Sequence, residues 1–318
     1  MSKYLRLQPM SILVLTAAGL LFVACGGGQT TPAEDAAAAA EPPLVVATTG
    51  MVGDVARRIA GDRGRVEVLM GPGVDPHLFK ASESDVRRLD EADLILYNGL
   101  HLEGKMTDIL AKMARGKRVV AVGEEVPEGR LRSPPEFEGA HDPHIWFDVD
   151  LWSQVVDPVV TALSDVDPAH AAEFRTNGDA YRGELLELDA WVQAQVAALP
   201  EDQRVLVTAH DAFGYFGHRY GFEVVGLQGL STATEAGLRD MDRVVDVVAG
   251  RKLRAIFVES SVPPKSIEAV RSACADKGHD VALGGELFSD AMGAAGTPEG
   301  TYLGMVRHNV DTVVGALR

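Results

Sequence analysis

From Pro43 onward, short apolar runs rich in β-branched residues alternate with stretches in which apolar positions recur every three or four residues. PLVVATTG precedes MVGDVARRIAG, RVEVLMGPG precedes SESDVRRLDEA, DLILYNG precedes KMTDILAKMARG, and RVVAVGE leads towards a further helical stretch. Short apolar or alternating runs mark strands and a 3.6-residue period marks helices, so their regular alternation predicts a mostly parallel sheet flanked by helices. The pattern begins again after Gln203 with RVLVTAHD, FEVVGLQG, RAIFVESS and DVALGGEL. The chain therefore reads as α/β with two similar lobes, residues 44–166 and 201–318.

Between the lobes, residues 167–200 have a different period. Phe174, Tyr181, Leu185, Leu188, Val192, Val196 and Leu199 recur at spacings of three, four and seven, with Asp167-Pro168 at the start and Pro200 at the end. Asp-Pro suits a cap and first turn, and Pro200 suits a stop. A continuous helix of about 30 residues would measure roughly 45 Å, enough to join both lobes as a spine. Gly178 and Gly183 are poor helix formers within it. Two such lobes leave a crevice at the carboxyl ends of their strands, a natural ligand site.

Composition changes this picture mainly at the N-terminus. With 318 residues, 46% of them hydrophobic, each lobe has enough apolar material for its own core. Residues 1–24 read as an export signal: Lys3 and Arg6 precede the apolar run Ile12 to Val23, and Ala24 sits before Cys25. Residues 25–43 have the composition of a flexible tether, reaching up to about 60 Å when extended. Cys274 is the only other cysteine. No disulfide framework is expected despite the export signal, and Cys274 reads as a core residue. The formal charge of −16 becomes two units more negative once Lys3 and Arg6 leave with the signal. That excess argues against nucleic acid as a partner, because nucleic-acid binding depends on Lys and Arg neutralising phosphates.

Four polar residues fall at strand-to-helix loops facing the expected crevice: His77 in GPGVDPHLFK, His144 in HDPHIWFD, His210 in VTAHDAFGYF and Asp290 in GELFSDAMG. Two come from each lobe. Three imidazoles and a carboxylate suit four-coordinate Zn²⁺, or Mn²⁺ if the carboxylate binds through both oxygens. No local spacing of the HExxH kind unites them, and a single histidine after a strand is more often a hydrogen-bonded polar residue than a ligand. On residues alone, both readings stand.

VDPHLFK, YNGLHLEGKM, HDPHIWFD, TAHDAFGYFGHRYGFEVVGLQGLST, IFVESS and GELFSDAMG, spread in order from Val74 to Gly293, closely resemble the substrate-binding lipoproteins of bacterial zinc and manganese ABC importers. LFVAC likewise resembles the lipobox of bacterial lipoproteins, with Phe22 where an aliphatic residue is usual. The resemblance implies a monomer outside the cytoplasm, held to the membrane only by a lipid on Cys25. It would hold the ion between two lobes joined by a long helix and deliver it to an ABC permease and its ATPase. By motif, the ligands fall on His77, His144, His210 and Asp290. His141 is then not a ligand, and His141, Asp142 and Glu259 are expected to support the ligands from behind. His101, Glu103 and Asp211 are expected to shape nearby loops.

The donor set favours zinc, with manganese close behind. Nitrogen donors raise zinc affinity over manganese, whereas Gly123 to Gly139 lacks the histidines that zinc-specific members often carry there. Two donors per lobe imply release by tilting one lobe with its pair. The rival readings are a zinc-dependent hydrolase, with Glu259 or Asp211 as base, and a surface adhesin on the same scaffold.

Overall fold

The computed structural model describes residues 41–135 and 139–318. The expected signal, Cys25 and the tether up to residue 40 lie outside the described residues. In the first half, β1 (Leu44–Ala47), α1 (Gly50–Ala60), β2 (Arg65–Val68), α2 (Glu83–Glu91), β3 (Leu94–Tyr97), α3 (Thr107–Met113) and β4 (Arg118–Ala121) follow the alternation in the sequence. The strands form one parallel sheet in the order β2-β1-β3-β4. The apolar strands LVVA and LILY lie at its centre, and RVEV, alternating in exposure, forms an edge. Chain order reverses beside β1, so the loops leaving the strand ends flank a crevice at that edge of the sheet.

After α4 (Val149–Trp152) and α5 (Val156–Val166) comes α6 (Ala171–Val196). Its 26 residues make a rod of about 39 Å. At the expected start, Asp167-Pro168, the chain enters through a 3-10 turn over Pro168–His170 that runs directly into α6, and the Asp167 carboxylate accepts from His170 Nδ1 at 2.6 Å. Gly178 does not interrupt α6: a Cβ there would come within 2.7 Å of Val160 Cγ2, so glycine lets α6 lie close on α5. Phe174, Tyr181, Leu185, Leu188, Val192 and Val196 are all buried, and this apolar face packs on α1 and α5.

The second half repeats the first: β5 (Val205–His210), α7 (Gly214–Tyr220), β6 (Glu223–Gln228), α8 (Leu238–Gly250), β7 (Ala255–Glu259), α9 (Lys265–Asp276) and β8 (Ala282–Leu287). Parallel ladders β5-β6 and β7-β8 lie with β5 beside β7. The final helix, α10 (Tyr302–Leu317), returns to pack on both α6 and α1. One continuous core therefore runs from β1 and α1 through α5 and α6 to α7 and α10, with Trp146, Trp152, Phe213 and Tyr215 inside it. A second core, including Cys274, lies under α8 and α9. Among the described residues no helix is long and apolar enough to cross a membrane.

Candidate metal centre

Four loops converge at the strand ends, and two are built by the same local device. In Asp75-Pro76-His77, beyond β2, Asp75 Oδ1 accepts from the His77 N–H at 2.8 Å. In Asp142-Pro143-His144, beyond β4, Asp142 Oδ1 accepts from the His144 N–H at 3.0 Å. A carboxylate bonded to the amide two residues on closes a tight turn, and proline fixes its middle. The third loop begins where β5 ends at His210, whose N–H donates to Glu259 Oε1 at the end of β7, 2.9 Å away. The fourth follows β8. There Asn309 of α10 clamps Phe288 with bonds to its N–H (2.9 Å) and carbonyl (2.7 Å), and Trp146 Nε1 donates to the Ser289 carbonyl at 3.0 Å.

These turns bring His77, His144, His210 and Asp290 together, all buried, with one donor atom from each inside a 4.8 Å span. His77 and His144 present Nε2 atoms 3.3 Å apart. Asp290 carboxylate oxygens lie 3.6 Å from His77 Nε2, 3.4 Å from His144 Nε2 and 3.3 Å from His210 Nε2. Donors about 2.0–2.1 Å from a tetrahedral ion sit roughly 3.3 Å from one another. Both Asp290 oxygens and His210 Nε2 are buried without an aligned hydrogen bond. Leaving such groups unpartnered is costly, and a cation at the centre would satisfy all three.

The residues behind the cluster differ. His144 Nδ1 lies 2.8 Å from Asp142 Oδ1 and His210 Nδ1 lies 2.6 Å from Glu259 Oε2, the latter pair not aligned as a hydrogen bond. A carboxylate at the far nitrogen fixes ring orientation and leaves Nε2 for the ion. Among the described residues no carboxylate holds the far nitrogen of His77. Burial therefore wins there and lowers the His77 pKa from 6.5 to about 3. Burial also opposes charge on His144, but Asp142 and Asp290 outweigh it and raise the pKa to about 9. For His210, burial is likewise outweighed, here by Glu259 and Asp290, and the pKa rises well above its usual value. Burial disfavours the Asp290 charge too, yet His210 and His144 hold its pKa well below the carboxylate range. The cation-free cluster thus keeps protons on two rings, clamped between carboxylates.

The remaining sequence candidates separate cleanly. Asp142 and Glu259 contact the cluster from behind, whereas His141 is half-buried, pairs with Ser133 Oγ at 2.8 Å and is not brought to the cluster. His101 is exposed at a positive φ of 65°. Glu103 is buried and accepts from Thr48 Oγ1, Asn98 N and Gly99 N. Asn98 then donates to the Pro143 carbonyl at 3.0 Å, so Glu103 shapes the loop that supports the His144 turn. Asp148, the residue that ends HDPHIWFD, caps α4 by accepting from Leu151 N and takes no part in the cluster. Sequence reasoning missed Thr232, whose hydroxyl donates to Asp75 Oδ2 at 2.5 Å, and Tyr215, whose hydroxyl donates to the Asp142 carbonyl at 3.0 Å. Asp75 was legible by setting the two Asp-Pro-His segments side by side; nothing in the sequence singles out Thr232.

Known proteins are close to this chain in sequence. The chain is 51% identical over 273 residues to the manganese-binding lipoprotein MntA of Bacillus subtilis (strain 168), covering 86% of this chain and 89% of that protein. It is 53% identical over 272 residues to the zinc-binding protein TroA of Treponema pallidum (strain Nichols), covering 86% and 88%. The solved structure of the periplasmic zinc-binding protein TroA superposes with a TM-score of 0.85, over 86% of this chain and 99% of that one. Two-lobe architecture, long helix and flanking parallel sheets are therefore shared with a solved relative. Residues 45–316 match the family model described as zinc-uptake complex component A, periplasmic, and the chain belongs to that ZnuA family.

Proposed function

We propose that this protein captures a free divalent cation outside the cytoplasm, holds it on His77, His144, His210 and Asp290, and hands it to an ABC permease driven by its ATPase. Residues 44–166 and 201–318 act as the lobes and 167–200 as the spine. Lipidation of Cys25 tethers a monomer to the membrane. The observation that carries the reading is the convergence of four buried donors, with both Asp290 oxygens lacking aligned partners.

Zn²⁺ is the preferred cargo and Mn²⁺ the second candidate. The relatives named for manganese and for zinc are 51% and 53% identical, too alike for similarity to choose. The donors choose instead: three nitrogens and one carboxylate favour zinc. The manganese reading rests on Asp290, whose two free oxygens could both bind a larger ion. Four protein-borne donors leave no open position of the kind that a zinc hydrolase uses to activate water, so the reading is transport, not catalysis.

Elemental analysis of protein purified without added metal, followed by competitive zinc and manganese titration of wild type and His210→Glu, tests this. Wild type should take one ion per chain and prefer zinc, and His210→Glu should shift preference towards manganese. Failure to bind either ion stoichiometrically would overturn the reading.

A further inference from the structure

Apart from the contact between the donor nitrogens themselves, His77 Nε2 to His144 Nε2, the hydrogen bonds that anchor the loops divide the four donors three to one. Arg132 N donates to Tyr215 Oη at 3.0 Å, and that hydroxyl donates to the Asp142 carbonyl, so the His144 turn is stitched to α7 directly after the His210 loop. The Arg132 guanidinium also donates to the Gly214 carbonyl. Trp146 donates to Ser289, beside Asp290, and accepts at its own carbonyl from Tyr302 Oη at 2.6 Å. His144, His210 and Asp290 thus belong to one bonded framework crossing the two halves of the chain.

The loop carrying His77 is attached differently. Gly71, Pro72 and Gly73 are exposed, and Leu78, next to the ligand, keeps 49% of its surface in water. Among the described residues, residues 69–82 make a single hydrogen bond to the second half, from Thr232 Oγ1 to Asp75 Oδ2. Gly73, at φ 71°, lies so close that a Cβ would meet the Ser260 carbonyl at 3.3 Å, but no bond forms there. Asp75 has both oxygens committed: Oδ1 closes the turn on His77 N and Oδ2 receives Thr232. The bond across the mouth and the orientation of His77 therefore share one carboxylate.

We propose that Asp75 and Thr232 form the latch of the site: positioning residues that hold His77 on the cation, so that release begins when this bond opens and the 69–82 loop withdraws His77 alone. This inference rests on the metal-capture reading. It also replaces the expectation that one lobe leaves with two ligands. Thr232 is buried but touches none of the other donors in any hydrogen bond, so removing its hydroxyl leaves the donor set in place.

The test is stopped-flow transfer of zinc from the full chain to a chromogenic chelator in wild type, Thr232→Val and Thr232→Ser. The Co²⁺ visible spectrum of each variant reports the donor set. Thr232→Val keeps the volume and loses the donor, and it should speed zinc release by about tenfold, the equivalent of one ordinary hydrogen bond. Thr232→Ser should restore the wild-type rate, which a role for Thr232 in packing alone would not allow. The Co²⁺ spectrum should be the same in all three. Release from Thr232→Val at the wild-type rate, a failed Ser rescue or an altered Co²⁺ spectrum would overturn the latch while leaving metal capture intact. A wild type that takes up no zinc would overturn both.

Discussion

The two Asp-Pro-His turns are near copies in sequence and opposites in attachment. In both, an aspartate accepts from the amide of the histidine two residues on. Asp142 then uses the same oxygen to hold the imidazole itself, 2.8 Å from Nδ1, inside a fully buried loop roofed by Tyr215. Asp75 leaves its imidazole alone and reaches across the mouth to Thr232. Identical tripeptides thus give one imidazole held at its far nitrogen by the turn's own aspartate and one that its turn grips only through the backbone. The His144 ring is held protonated to about pH 9 until a cation displaces the proton, whereas the His77 ring offers its lone pair at any pH above about 3. A cation must displace a proton at the first ring, where carboxylates raise the pKa, and none at the second, where burial lowers it.

The largest expected effect comes from breaking the stronger turn. Asp142→Ala removes the amide acceptor and the Nδ1 partner together, and zinc affinity should fall about 10–100-fold, the usual cost of losing a ligand's supporting carboxylate. Asp142→Asn retains an acceptor for the turn and removes the charge, so it should fall between wild type and Asp142→Ala. Competition titration against a chelator of known affinity measures both. If Asp142→Ala binds zinc as tightly as wild type, the difference between the turns carries no functional weight.

Acidity separates the two histidines further. Because the His144 and His210 pKa values are raised, both rings are protonated in the cation-free site at neutral pH, and binding must expel those protons. Zinc affinity should therefore rise about tenfold per pH unit for each proton expelled, and the His144 share should level off above about pH 9. His77, already neutral, contributes nothing to this slope. Calorimetry in buffers of different ionisation enthalpy counts the protons released. The metal-free protein behaves oppositely: the raised His144 pKa contributes stability that is complete below pH 6.5 and lost as pH rises through about 9. A proton count of zero at pH 7 would contradict both statements.

Tyr215→Phe is a milder probe of the same contrast. It deletes the hydroxyl that serves Arg132 N and the Asp142 carbonyl, at a cost of about 1–3 kcal/mol in denaturant unfolding of the metal-free protein. Zinc affinity should drop severalfold because the His144 turn loosens. The equivalent loss at the other turn has no counterpart, since among the described residues no aromatic hydroxyl bonds to Asp75.

Much of this was legible in the chain. Period two against period 3.6 locates the strands and helices because each element buries one face; loop position alone makes His77, His144, His210 and Asp290 candidates, and it is the resemblance of their motifs that picks them out together. Hydrogen bonds between distant loops were not legible. Tyr215 reads as core because all of a tyrosine side chain but its hydroxyl is hydrocarbon, and only its neighbours in space reveal what the hydroxyl does. Thr232 sits in a polar stretch where any of several side chains could have faced Asp75. The entry to the long helix at Asp167-Pro168 is legible in composition, whereas the 3-10 winding of its first turn is not.

The smallest expected effect concerns the histidine that begins HDPH. His141 lies one residue before Asp142, and its position alone makes it as plausible a supporter of the site as its neighbour. Its ring instead turns towards the exposed Ser133 Oγ, and this pair has no bond to any donor of the cluster. His141→Ala should therefore change zinc affinity less than about twofold and unfolding free energy by no more than about 0.5 kcal/mol, the range of ordinary surface substitutions. Titration beside Asp142→Ala under identical conditions checks it directly. Equal losses in the two variants would mean that support for His144 comes from the whole polar turn, and the carboxylate at Nδ1 would lose its special place in the contrast with His77.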